Sequence, residues 1–168
     1  MTDQITIRRS RLTDLAAIDA LLAASYPALL KPDYPPSVLV TALPLISRAQ
    51  PRLVCSGCYF VALDGSGRAL AAGGWSHSAP QGGVGPRDLG HIRHFATHPS
   101  ALRRGLAAEI MAQTLAQAME AGITRMLCQA TRTAVPFYSK MGFECHAEID
   151  IALRPGIIFP AVEMARAL

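Results

Sequence analysis

The fourteen residues Phe95–Ala108 (FATHPSALRRGLAA) bring a tight turn, a glycine and two arginines to the point where a strand gives way to a helix. The first N–H groups of a helix have no partner within it and lie at the positive end of its dipole. They make a ready seat for an anion. Gly105 has no side chain to keep a phosphate away, Ala107 is nearly as small, and Arg103 and Arg104 add positive charge at the same rim. By itself the segment also suits an ordinary strand-to-helix connection. Its spacing is neither that of a triphosphate P-loop nor that of a dinucleotide-binding glycine fingerprint. The wider block Arg87–Arg104 holds four Arg and three His against one acid, Asp88. Such a block points to an anionic partner: phosphate, nucleotide, nucleic acid or a carboxylated substrate. A second segment, Thr131–Phe143 (TRTAVPFYSKMGF), carries Tyr138 on a short helix that stops at Gly142. The Cys55-Ser-Gly-Cys58 spacing has no second Cys/His pair to complete a zinc site and opens no helix. The four cysteines are therefore read as structural and reduced.

These segments need a frame. At 168 residues, with 51% hydrophobic and 17% charged residues, the chain is read as one domain (residues 1–168) with a substantial core. The composition excludes a disordered chain. No apolar run is long enough to suggest a membrane helix, and no secretory signal is visible at the start. The expectation is a cytoplasmic protein.

Ile5–Arg9 alternates as a strand, and Thr13 caps a helix that Pro27 closes. A short helix follows near Ser37–Arg48. Tyr59–Leu63 and Arg68–Trp75 form a hairpin around Asp64-Gly65-Ser66-Gly67. Ser76–Asp88, rich in Gly and Pro, is a loop. Leu89–Thr97 is a strand whose interrupted pattern suggests a bulge. A helix spans about Arg104–Ala121 and ends at Gly122. Then come strand Arg125–Ala130, a helix from Thr133 to Met141, and strands Glu144–Leu153 and Phe159–Ala165. Interleaved strands and helices without repeat or linker give an α/β fold with a mixed sheet.

Taken together, the two segments resemble the acyl-CoA-binding motifs of the GNAT superfamily of N-acetyltransferases. Thr97-His98-Pro99 matches the V-x-P of that family. Leu102-Arg103-Arg104-Gly105-Leu106-Ala107 matches its Q/R-x-x-G-x-G/A loop. Thr131, Ala134, Tyr138, Gly142 and Phe143 match N-x-x-A-x-x-x-Y-x-x-x-G-F. The departures are Leu102 for Gln/Arg, Thr131 for Asn, Thr97 for Val, and Arg93 where many amine-acetylating members carry a Glu. The resemblance covers essentially the whole chain. It implies a mostly antiparallel central sheet of about seven strands flanked by about four helices, splayed between the fourth and fifth strands.

The resemblance further implies acetyl-CoA as co-substrate, with no metal. Its pantetheine arm would pair with Phe95, Ala96 and Thr97. Its pyrophosphate would sit on the N–H groups of Arg103, Arg104, Gly105, Leu106, Ala107 and Ala108, with Leu102, Thr131 and Phe137 also at the cofactor. An amine of a small molecule or exposed peptide would attack the acetyl group directly in a ternary complex. Tyr138 holds the family position of the acid that protonates the leaving thiolate, and a phenol of pKa about 10 keeps that proton at pH 7. An alkyl amine of pKa about 10.4 must first lose a proton. His91, His94, His77 and Asp88 are candidates for the base, with His91 and His94 foremost, directly or through water. Arg93 either grips a substrate carboxylate or pairs with a nearby acid. Tyr26 and Trp75 either line the acceptor cleft or pack in the core. The alternative function is an acyl-CoA-binding sensor without turnover. A nucleic-acid-binding role for the basic block finds no helix-turn-helix, zinc-finger or aromatic RNP pattern to support it. The expected partner is a small-molecule amine, with neither nucleic acid nor membrane, and a homodimer is left open.

Overall fold

The computed structural model describes residues 4–168. Seven strands form one sheet: β1 (Thr6–Arg9), β2 (Tyr59–Leu63), β3 (Ala69–Ser76), β4 (Leu89–Thr97), β5 (Arg125–Ala130), β6 (Glu144–Arg154) and β7 (Ile157–Ala167). Their spatial order is β1-β2-β3-β4-β5-β7-β6. Every neighbouring pair is antiparallel except β4 and β5, which run parallel. Five helices accompany them: α1 (Leu15–Leu30), α2 (Pro36–Ile46), α3 (Pro51–Val54), α4 (Leu106–Glu120) and α5 (Val135–Lys140). The expected α/β architecture is observed; among the described residues the helices number five where about four were expected, α3 being the addition.

Side chains alternate across a strand, and β2 shows which helices cover which face. Tyr59 and Val61 pack with Ile18, Leu21 and Leu22 of α1. Phe60 and Ala62 pack with Leu106 and Ile110 of α4. Further along the sheet, α2 covers the β6–β7 end on the α1 side, where Leu39 and Ala42 meet Phe159 and Ala161. Tyr138 of α5 joins Met111 and Leu115 of α4 on the opposite face.

The helices differ from expectation at their prolines. Pro27 does not close α1, which runs on to Leu30. A proline inside a helix forfeits one backbone hydrogen bond, and here burial of Leu30 against Tyr34, Leu39 and Phe159 outweighs that loss. Pro36 starts α2, one residue before the expected Ser37, since its fixed φ suits the first helical position and its missing N–H leaves nothing unsatisfied. The four-residue α3, also opened by a proline, carries no periodic signal. With the 3-10 turn Leu12–Asp14, α1 makes a continuous apolar stretch, Leu12–Leu30, as long as a membrane span. This corrects the expectation that no segment reaches that length; the periodic pattern of α1 serves packing against the sheet, through Ile18, Leu21 and Leu22.

Candidate functional site

Strands β4 and β5 pair over only three residues, Leu89↔Arg125, Gly90↔Met126 and His91↔Leu127. Beyond His91 they separate, although β4 continues to Thr97 and β5 to Ala130. The cause lies on the other edge of β4. Between the pairs Ala72↔Ala96 and Gly74↔Arg93, β4 has two residues, His94 and Phe95, where β3 has one, Gly73. This is a β-bulge, which bends the strand and raises its local twist. His94 takes φ +45° to make it. The extra residue also reverses the facing. Ile92 and Phe95 both meet the α4 side of the core, whereas Ala96 packs with α1.

Two tyrosines hold the bulge. Tyr59 donates its hydroxyl to the His94 carbonyl at 2.7 Å, and Tyr26 reaches the Phe95 carbonyl at 3.5 Å. Gly74, opposite Arg93, lies so close to β2 that a Cβ there would collide with the Cys58 carbonyl.

The separation leaves a slot through the sheet, and it opens into a cavity of about 380 Å³. Residues from both faces reach it. Tyr138 and Phe95 come from the α4–α5 side; Arg93, Gln129, Tyr26 and Gln50 come from the α1–α2 side, where Leu45, Ile46, Ile151, Leu153 and Phe159 add an apolar wall. No Asp or Glu is among the lining residues. The carboxylate residue Glu163 lines a side pocket of about 110 Å³ together with His91, Cys128 and Gln129. Gln129 and Gln81 exchange amide hydrogen bonds of 2.7 and 3.0 Å, tying the loop after β3 across to β5.

Arg93 is 8% exposed. Its guanidinium donates to Ser76 Oγ at 3.0 Å and to Gln50 Oε1 at 2.7 Å, and among the described residues no carboxylate pairs with it. The expected alternative of an ion pair with a nearby acid is thereby corrected. Burial lowers its pKa. Burial, and secondarily the charge of Arg93, also lower both histidines, His94 to about 4. Both are neutral at pH 7. Tyr138 is held well above the usual phenol range, chiefly by burial and next by the neighbouring Cys128 thiol, itself pushed up to about 12 by burial. Its phenol is fully protonated at physiological pH.

At the other end of β4 the chain turns through a short 3-10 turn, Pro99–Ala101, into α4. Arg103 (φ +59°) and Gly105 (φ +76°) both adopt left-handed backbone. Gly105 is the N-cap and has no side chain to satisfy the helix. Among the described residues, none of the six N–H groups from Arg103 to Ala108 donates a hydrogen bond. A Cβ on Gly105 would meet nothing within 4 Å. The glycine therefore answers to no packing neighbour of its own; its surroundings are open, as a phosphate-bearing ligand requires.

The sequence candidates fall into three groups. Tyr138, His94, Phe95, Thr131, Tyr26 and Arg93 line the cavity, and His91 lines the side pocket. Thr131 Oγ1 accepts from the Ala134 N–H and so caps the turn before α5. Phe137 packs against Phe95 with ring centroids 6.1 Å apart. The N–H groups of Arg103, Arg104, Gly105, Leu106, Ala107 and Ala108 form the free-amide cradle, with Leu102 just before it and Ala96 and Thr97 on the strand that leads to it. The others lie elsewhere. Trp75 is 1% exposed and donates its indole N–H to Gln117 at 2.9 Å, so its cleft reading is corrected to core. His77 sits edge-on against Trp75. Asp88 accepts from Thr124 at the closed end of the slot, too far along β4 to face the cavity. Sequence reasoning missed Gln50, Gln81, Gln129 and Glu163; only the alternation of β5 and β7, read with the correct pairing, would have brought Gln129 and Glu163 together.

Over residues 67–164 the sequence matches the acetyltransferase (GNAT) domain family. No curated protein sequence matches the chain. Among solved structures, a GCN5-related N-acetyltransferase from Rhodopseudomonas palustris is similar over 100% of this chain and 99% of its own, with a TM-score of 0.77 and 17% identity. The PaiA N-acetyltransferase from Thermoplasma acidophilum, solved in complex with coenzyme A, covers 98% of this chain and 99% of its own, with a TM-score of 0.72 and 11% identity. An N-acetylglutamate synthase from Neisseria gonorrhoeae, complexed with coenzyme A and N-acetyl-glutamate, covers 100% of this chain but only 36% of its own, with a TM-score of 0.63 and 16% identity. At these identities the likeness is one of fold.

Proposed function

The chain belongs to the GNAT acetyltransferase family, and from that premise we propose that it acetylates a primary amine of a small molecule, using acetyl-CoA in a ternary complex. The observation that carries this reading is the junction of two features. A cradle of six N–H groups at Arg103–Ala108, unpartnered among the described residues, stands at one end of β4, and a slot lined by a protonated phenol stands along it. Acetyl-CoA supplies a thioester carbonyl open to attack. The cradle binds its pyrophosphate, and the unpaired edge of Phe95–Thr97 orients its arm toward the cavity.

The amine attacks the carbonyl carbon, the carbon–sulfur bond breaks, and Tyr138 gives its proton to the departing sulfur. Burial suits Tyr138 to this task, because it keeps the phenol protonated until charge develops on sulfur. Removal of the ammonium proton falls to water. His94, with a pKa of about 4, is too weak a base to hold it. His91, in the side pocket with Glu163, offers the nearest route out.

The lack of a carboxylate in the cavity favours the second reading, an acyl-CoA-binding sensor without turnover. Thiol release from acetyl-CoA across a panel of amines separates the two. Tyr138→Phe keeps the ring and removes the proton. It should lower kcat by about 10²–10⁴-fold with acetyl-CoA affinity nearly unchanged. A Phe variant within about threefold of wild type would remove Tyr138 from the mechanism. No turnover with any amine, despite saturable acetyl-CoA binding, would favour the sensor.

A further inference from the structure

Arg93 is a buried cation with no counter-ion among the described residues. Two of the five N–H groups that a guanidinium carries are spent on neutral oxygens, from Ser76 and Gln50. A buried charge held only by neutral partners is costly unless something completes it. Among the described residues nothing does so: neither of the two ion pairs, Arg8–Asp14 and Arg68–Asp64, involves it. Arg93 nonetheless lines the cavity, and that cavity contains no acid. Facing it are the apolar side chains of Leu45, Ile46, Ile151, Leu153 and Phe159, contributed by α2, β6 and β7. The space therefore has one positive fork, one greasy wall and no negative group.

We propose that the acceptor is an amino acid with an apolar side chain, its carboxylate held by Arg93 and its side chain lying on the α2–β6–β7 wall. This rests on the acetyl-transfer reading above and adds the class of acceptor. Three consequences of the chemistry agree with it. A carboxylate completes Arg93 in the bidentate geometry that guanidinium favours. A polyamine finds no carboxylate to bind and meets a like charge instead. A second acidic group, as in glutamate, finds no second cation on an apolar wall. The pairing also bears on the missing strong base. A carboxylate beside an ammonium group stabilises its charged form, and neutralising that carboxylate on Arg93 withdraws the support. The bound amine then loses its proton more readily than the free one.

The test compares initial rates of thiol release by the wild-type protein with acetyl-CoA and leucine, methionine, leucinamide, glutamate or spermidine. Leucine and methionine should be the best acceptors. Leucinamide, which differs from leucine at the carboxylate alone, should have a kcat/KM lower by about 10–100-fold, the range of a charge-assisted hydrogen bond. Arg93→Lys, which keeps the charge and loses the fork, should raise the KM for leucine and leave that for acetyl-CoA unchanged. Leucinamide equal to leucine, or glutamate or spermidine as the best acceptor, would overturn this acceptor class and leave acetyl transfer intact. Binding of acetyl-CoA with no acceptor turned over would overturn both.

Discussion

His94 bears the local cost of the bulge that opens the slot. A left-handed backbone is unfavourable for a side chain with a Cβ by roughly 1–2 kcal/mol, and its ring also loses hydration by burial. The second effect sets a pH dependence. The unfolded histidine titrates near 6.5, the folded one near 4. Above 6.5 both states are neutral and the full stability is present. Between 6.5 and 4 the unfolded chain binds a proton that the folded chain does not, so stability falls as the pH falls. His91 shifts in the same direction and adds to the slope. His94→Asn keeps a residue that tolerates positive φ and removes one titrating ring. Urea midpoints measured from pH 7.5 to 4.5 should fall less steeply in this variant than in wild type. An unchanged slope would show that His94 titrates normally.

Single residues were the least legible part of the site. Gly105 is marked by its place at a strand-to-helix turn, and Tyr138 by the family motif that the segment resembles. The surroundings of Arg93 do not, because Gln50 and Ser76 lie 43 and 17 positions away in sequence. Whether it met an acid or a neutral group depended on contacts between α3, β3 and β4.

At the scale of elements, the N-terminus of α4 has one consequence that packing alone would not give. Gly105 is an N-cap in left-handed backbone with open space around it. Gly105→Asp introduces a residue that tolerates this conformation and is a favourable helix cap. The fold should survive with a melting temperature close to wild type. The carboxylate, however, would stand at the N–H groups proposed to hold the pyrophosphate. The rise in melting temperature with acetyl-CoA, expected for a ligand that binds only the folded chain, should shrink in Gly105→Asp to that of a ligand bound at least tenfold more weakly. An undiminished shift would place the pyrophosphate elsewhere.

The elements themselves were largely readable. The hairpin at Asp64–Gly67, the α4 stripe and the interrupted pattern of Leu89–Thr97 all follow from local periodicity. The end of α1 was not, since a proline usually stops a helix and only the distant contacts of Leu30 show why this one continues. Nor was the short α3, whose four residues are too few to display a period.

For the whole molecule, one extra residue in β4 links the fold to its chemistry. The bulge turns the end of β4 away from β5, and the sheet order leaves β7 and α2 to wall the far side. The slot then admits groups from both faces of one sheet, which a closed sheet would keep apart. The family resemblance implied the splay, but the composition of the cavity followed from pairing register and could not be read from the chain. Amide shifts in the ¹⁵N-labelled protein titrated with acetyl-CoA report directly on where acetyl-CoA binds. The largest and saturable changes should fall on Gly105–Ala108 and on Phe95–Thr97, with little effect at the paired end of β4, Leu89–His91. Changes confined to other elements, or none at millimolar acetyl-CoA, would contradict that placement.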